Sequence, residues 1–207
     1  LSRVDFMYPT FYQLLDIEQT ISEYGPQNHY KTGFEATSKK QHIEYFSKIN
    51  QAINNHGQGL EDITYPYRGK QVKLLRQVEV IHLQDVANLL DKLRVAGYGA
   101  ILLVILSIGY FRIKQQPLPS MKIQLLSLGS LLAITILLGA IIGFVEVFYW
   151  LHHAIFPADH QWFFYYQDSL MTTMMQAPTL FGPIAVIIVV STIVLFSLLN
   201  MMLKRQQ

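Results

Sequence analysis

His82, His152 and His153 stand near carboxylates in two short stretches, and each stretch adjoins a long apolar run. The first reads VEVIHLQDV from Val78 to Val86 and the second reads WLHHAIFPADHQW from Trp150 to Trp162. Glu79, His82 and Asp85 are spaced i, i+3, i+6, which on a helix forms one gently drifting stripe, with Val86, Leu89 and Leu90 as an apolar side. A carboxylate on such a stripe can orient an imidazole and favour its protonated form. A solvated helix face carrying one histidine has the same spacing, so both readings stay open for this stretch. In the second stretch Glu146 lies seven residues before His153, two turns away on nearly the same face if one helix holds both. Glu146 at that place is equally a carboxylate reaching for the membrane surface. Phe148, Tyr149, Trp150 and Trp162 to Tyr166 make an aromatic belt suited to the lipid headgroup region. Anchoring explains those rings, but not the adjacent His152 and His153, because histidine titrates near neutrality and is costly at membrane depth.

Three uncharged runs must position these residues. Val95–Phe111 spans 17 residues, Ile123–Val145 spans 23 and Leu180–Leu203 spans 24. A helix needs about 20 apolar residues to cross a hydrocarbon core, with about 17 as the short limit. The expected fold is therefore an α-helical membrane protein with three spanning helices in this chain and a small mixed α/β extracytoplasmic domain. Residues 1–94 carry 11 Lys plus Arg and 11 Asp plus Glu. They form a polar, near-neutral segment with no basic excess that would call for nucleic acid. Cysteine is absent, which excludes disulfides, thiolate metal ligands and a cysteine nucleophile.

Charge placement sets an orientation. Arg112, Lys114 and Lys122 lie in the link between the first two runs, and Lys204 and Arg205 follow the third. The link from Trp150 to Thr179 carries Asp159 and Asp168 without Lys or Arg. The positive-inside bias then makes 95–113, 123–149 and 180–203 membrane helices, with 114–122 and the tail 204–207 cytoplasmic. Residues 1–94 and 150–179 fall outside, so both histidine stretches reach one face of the membrane. Because the chain begins at Leu1 without an apolar leader, export of residues 1–94 calls for an upstream signal or a fourth helix preceding it.

Within residues 1–94, Ser38 followed by Gln41 has the form of a capping box, and Ile43, Phe46, Ile49 and Ile53 mark one face of a helix ending near Gly57. Ile63–Tyr65 and Val72–Leu75 read as short strands around a turn at Arg68-Gly69-Lys70. Arg3 to Tyr30 is rich in aromatics but shows no period. Pro157 ends the helix of the second stretch.

The pattern Glu79-x-x-His82-x-x-Asp85-Val86 ahead of a spanning helix resembles a bacterial integral-membrane family that includes the lipoprotein intramolecular transacylase. So does His153-Ala154-Ile155-Phe156, with Trp162 nine residues after His153 and the last span following. The resemblance covers roughly Gly59 to the C-terminus. His152 stands where the family often has an aromatic residue, and Pro157 where it often has Phe. The resemblance implies four spanning helices, an extracytoplasmic domain in the cytoplasmic (inner) membrane of a bacterium, and functional histidines at His82 and His153. It also implies an acyl shift: an ester-linked chain of a diacylglyceryl lipoprotein moves to the α-amine of that lipoprotein's N-terminal cysteine, leaving a lyso-glyceryl form. The partners are then the lipoprotein substrate and membrane lipid, and no cofactor or metal is called for. Either histidine could remove the amine proton; the preferred assignment is His153 as base and His82 as its partner, with Glu79 or Asp85 orienting. Trp162, His152 and Glu146 are placed on the substrate side. Ser169, Thr172 and Thr173 have no activating spacing and are not expected to take up the chain. Two other readings use the same residues: a membrane metallohydrolase built on Glu79, His82, Asp85, His152 and His153, and a membrane assembly or sensor protein whose histidines respond to pH.

Overall fold

A computed structural model of the chain describes residues 2–176 and 179–204; Arg205, counted in the charge argument above, lies outside them. The chain is mostly helical and divides into two compact units, Leu1–Asp91 with Ala158–Val190, and Lys92–Pro157 with Ser191–Gln207.

The first unit begins with a 3-10 turn over Ser2–Met7, then helices α1 (Tyr8–Leu14) and α2 (Ile17–Tyr24). Left-handed residues at Met7 (φ 61°) and Asp16 (φ 50°) restart the helix twice, which is why the N-terminal aromatics show no continuous period. Helix α3 (Lys39–Asn54) starts at the expected capping box, with Ser38 and Gln41 satisfying each other's backbone N–H groups. Phe46 and Ile49 are buried, while Ile43 and Ile53 pack against the core. Strands β1 (Thr64–Tyr67) and β2 (Lys70–Lys73) pair antiparallel, with Tyr67 opposite Lys70. The two linking residues, Arg68 (φ 47°) and Gly69 (φ 76°), both take positive φ, the twist that suits a two-residue hairpin. The hairpin is thus shifted from the expected 63–65 and 72–75: Leu74 and Leu75 leave the strand and are buried, with Leu74 N–H donating to the Ile63 carbonyl at 2.8 Å.

Helix α4 (Gln77–Ile113) has its first four turns in this unit, and α7 (Leu170–Met175) follows a 3-10 turn at Tyr166–Asp168. One core binds these distant segments. Tyr8 stacks on Phe46 with centroids 3.8 Å apart, and its hydroxyl donates to the Met174 carbonyl at 2.9 Å. Gln176 donates to the Leu15 carbonyl at 3.1 Å. The aromatic N-terminus is therefore core, packed around α7.

In the second unit, α5 (Met121–Ile142) opens at a Ser120 cap and ends at Gly143, and α6 (Phe144–Ile155) begins there. The sequence reads as one helix through 149, but Gly143 has φ 101° and breaks it. Gly139 lets Phe144 fold back: a Cβ there would meet the Phe144 ring at 2.7 Å. Helix α8 (Phe181–Lys204) completes the chain. Among the described residues three helices are long and apolar enough to cross a membrane: Gln77–Ile113, Met121–Ile142 and Phe181–Met201, with mean hydropathy 1.8, 2.5 and 2.6. Their large side chains are turned outward, including Leu103, Leu137 and Leu195.

Candidate functional site

Helix α4 fixes the first stretch. Its buried stripe is Glu79, Leu83 and Ala87, one residue every turn, and His82 flanks that stripe, half-buried. The His82 ring lies 6.0 Å from the ring of buried Phe164. Glu79 sits at the third helical position and accepts the backbone N–H of Arg76 at 2.5 Å, the returning half of a capping box. Its other oxygen accepts the hydroxyl of buried Ser169. Ser169 in turn caps α7, accepting the Thr172 N–H at 2.9 Å. One carboxylate and one hydroxyl therefore tie the first turn of α4 to the first turn of α7. Burial raises the Glu79 carboxyl above its ordinary range, with the Ser169 and Arg76 hydrogen bonds opposing.

Asp85, one turn beyond His82, accepts from His160 Nδ1 at 2.7 Å. A carboxylate can only accept, so the proton must sit on Nδ1 and the ring is held in that orientation. The bond to Asp85 raises the His160 imidazole above its ordinary range. The pairing differs from the expected one: Glu79 joins Ser169 and Arg76, and Asp85 joins His160, both partners remote in sequence or unmarked by spacing. The same segment is held at its far end, where His29 Nδ1 donates to Asp168 at 2.8 Å. Between these two ties residues 161–165 form no regular element, with Trp162 half-buried, Phe164 buried, and Phe163 and Tyr165 exposed.

Arg76 precedes α4 and is enclosed by rings. Its guanidinium carbon lies 4.3 Å from the Tyr30 centroid and 5.8 Å from that of Phe164. Its Nε is 3.7 Å from Glu79. The sequence gives no sign of the roles of Arg76 and His160, and it marks Ser169 only as a hydroxyl not expected to take up the acyl chain. A capping place ahead of Thr172 is the signal that could have found Ser169; the others depend on partners brought close by folding.

In the second unit α6 carries Glu146, His152 and His153 on one helix. The adjacent histidines have different surroundings. His152 Nδ1 donates to the Phe148 carbonyl at 2.8 Å, and its ring packs 3.9 Å from Phe148 and 5.3 Å from Phe156. Burial pulls its imidazole below the ordinary range, against the pull of the Phe148 carbonyl. His153 and Glu146 are exposed within the described residues. A fourth environment is His42, buried in the first unit with both ring nitrogens engaged by Tyr12 and Thr37 at 2.7 Å. His42 is a core residue.

The sequence model of the family described as lipoprotein intramolecular transacylase Lit matches residues 5–181, and the chain belongs to that family. It is an acyltransferase whose family acts in lipoprotein acyl transfer. The match reaches further toward the N-terminus than the motifs that carry the resemblance. No curated protein and no solved structure matches the chain.

Proposed function

We propose that the protein moves an ester-linked acyl chain of a diacylglyceryl lipoprotein onto the α-amine of that lipoprotein's N-terminal cysteine, with His82 and His153 as its acid–base pair. The observation that carries this is His82 itself, set on the Phe164 ring one turn from the Asp85–His160 pair, in a chain of the transacylase family. The placement of His152 against Phe148 and Phe156 supports His153 as the working member of the adjacent pair. Asp85 acts in this reading by holding His160, and Glu79 by setting the start of the helix that carries His82. Trp162, Glu146 and His152 are assigned to substrate binding.

An α-amine has a pKa of about 7.7–8.0, so a neutral imidazole is a competent base for its proton. His153 takes that proton as the amine nitrogen attacks the ester carbonyl. The carbon–nitrogen bond forms, the bond between the acyl carbon and the glyceryl oxygen breaks, and His82 returns a proton to the departing glyceryl alkoxide. Amine and ester belong to one tethered molecule, so proximity supplies much of the acceleration and no enzyme nucleophile is required. The membrane arrangement that fits has 95–113, 123–149 and 180–203 spanning, 114–122 and 204–207 cytoplasmic, and 1–94 and 150–179 outside the bacterial inner membrane.

The test uses the full chain in detergent or membranes with a synthetic diacylglyceryl lipopeptide, supplied as labelled and unlabelled molecules together. Mass spectrometry should find each acyl chain on its own peptide, as an N-acylated lyso product formed also in strong chelator. His82→Gln and His153→Gln should lower the rate about 100-fold or more, while His152→Phe retains most of it. Label on initially unlabelled peptides would point to an acyl-enzyme or an intermolecular transferase. An essential His152 with a dispensable His153 would move the second assignment by one residue.

A further inference from the structure

Asn28 Nδ2, Arg76 Nε and Arg76 Nη2 are buried nitrogens with no hydrogen-bond partner among the described residues. Such donors are nearly always paired, because leaving one dry forfeits its bonds to water with nothing in return. They belong to one locality. Asn28 Oδ1 accepts the N–H groups of Tyr30 and Lys31 at 3.0 and 2.8 Å, and that turn lays the Tyr30 ring across the Arg76 guanidinium. Phe164 lies against the guanidinium as well, and the same ring meets His82. The unspent donors are thus one aromatic ring away from the proposed acid–base histidine.

The local charge is also unbalanced. Glu79 is the carboxylate beside Arg76, and its burial favours the neutral form. Lys31 stands near enough to feel Arg76, Glu79 and Lys73; burial first, then Arg76 and Lys73, pull its ammonium below the ordinary range while Glu79 opposes. Among the charges that shift Lys31, the cations Arg76 and Lys73 are opposed by Glu79 alone. A cationic place with N–H groups left without a hydrogen-bond partner among the described residues favours an oxygen that gains negative charge during a reaction.

We propose that Arg76, seconded by Asn28, binds the ester carbonyl oxygen of the acyl chain and stabilises the oxyanion formed when the amine attacks. This rests on the transacylase reading above. The carbonyl π pair moves onto that oxygen as the carbon–nitrogen bond forms, and returns as the bond between the acyl carbon and the glyceryl oxygen breaks. Arg76 keeps its protons throughout and only donates hydrogen bonds. Tyr30, 61% exposed, is the movable cover whose rotation admits the ester to the guanidinium.

Two variants of the purified full chain test this with the same lipopeptide. Arg76→Lys keeps the charge but loses the planar fork, and should lower kcat about 100-fold with KM changed less than threefold, the signature of an interaction made in the transition state. Asn28→Asp keeps the oxygen that accepts from Tyr30 and Lys31, and adds a carboxylate that answers the excess positive charge. It should raise Tm while lowering kcat at least tenfold, a combination that a purely structural Arg76 would not give. Folded Asn28→Asp with kcat within twofold of the parent overturns the proposal, whether or not Arg76→Lys folds. His82→Gln is run beside them: if it is inactive while both variants are active, only this proposal falls, and if it is active the histidine reading falls instead.

Discussion

His42 shows how completely a histidine can be used up by a core. Thr37 Oγ1 donates to the Phe34 carbonyl, so it must accept from His42 Nε2, and Tyr12 must then donate its hydroxyl proton to Nδ1. The ring is neutral with both nitrogens satisfied, and burial lowers its pKa to about 4. The unfolded chain binds this proton near pH 6.5, so between there and pH 4 it holds more protons than the folded one, and stability falls as pH falls through that window. The loss should be on the order of 2 kcal/mol by pH 4 after allowance for solvent screening. Thermal melts at pH 7, 5 and 4 should show it, and His42→Gln should flatten the difference; an equal slope in the variant would assign the loss elsewhere. His82 and His153 have the same side chain in other surroundings, one on an aromatic ring beside an ion pair and one exposed, and that contrast is what separates candidates for chemistry from structure.

Two elements meet through Glu79 and Ser169. Removing the hydroxyl uncaps α7 and takes a hydrogen bond from a buried carboxylate, so Ser169→Ala should cost roughly 1–3 kcal/mol. If the hydroxyl serves only this purpose, kcat per folded molecule stays within about threefold, as it should in Thr172→Ala and Thr173→Ala. A folded but inactive Ser169→Ala would make the hydroxyl a carrier of the acyl chain. The segment before α7 is held by a different device. His160 is faced by Asp85 and, more weakly, by Asp159, and its pKa is raised mainly through the hydrogen bond to Asp85. The tie is therefore fully present below the unfolded value near 6.5 and lost as pH rises through the folded value. Amide exchange over 158–164, corrected for intrinsic rates, should quicken from pH 6 to 8.5, and Asp85→Asn should abolish the difference. An unchanged pH response in Asp85→Asn would place the control of this segment in another contact.

The molecule as a whole combines a packed unit, whose core joins residues near position 8 to residues near 174, with helices whose apolar side chains face outward. Such helices are at home in lipid, where there is no water to be shed. The orientation proposed above follows from the basic residues of the 112–122 link and the tail. Because the chain has no cysteine, single cysteines at Ser120 and Asp159 can be read without background. An impermeant thiol reagent applied to intact cells should label position 159 and spare 120. Labelling at 120 alone would invert the orientation and place both histidine stretches on the cytoplasmic side.

Periodicity, capping and composition were enough for α3 with its Ser38–Gln41 box, for the hairpin to within two residues, for the three apolar helices, and for the helical stripe bearing Glu79, His82 and Asp85. Each is a local property, decided by residues within a few turns of one another. The break at Gly143 was invisible because a glycine inside an apolar run is tolerated in either conformation until packing chooses one. The partners of the site were invisible for a stronger reason. Asp85 meets His160 across 75 positions and Glu79 meets Ser169 across 90, and no local pattern encodes such a meeting. The enclosure of Arg76 by Tyr30 and Phe164 likewise exists only once three distant segments share a core, because burial and unspent hydrogen-bond donors are properties of the folded neighbourhood rather than of any residue in the chain.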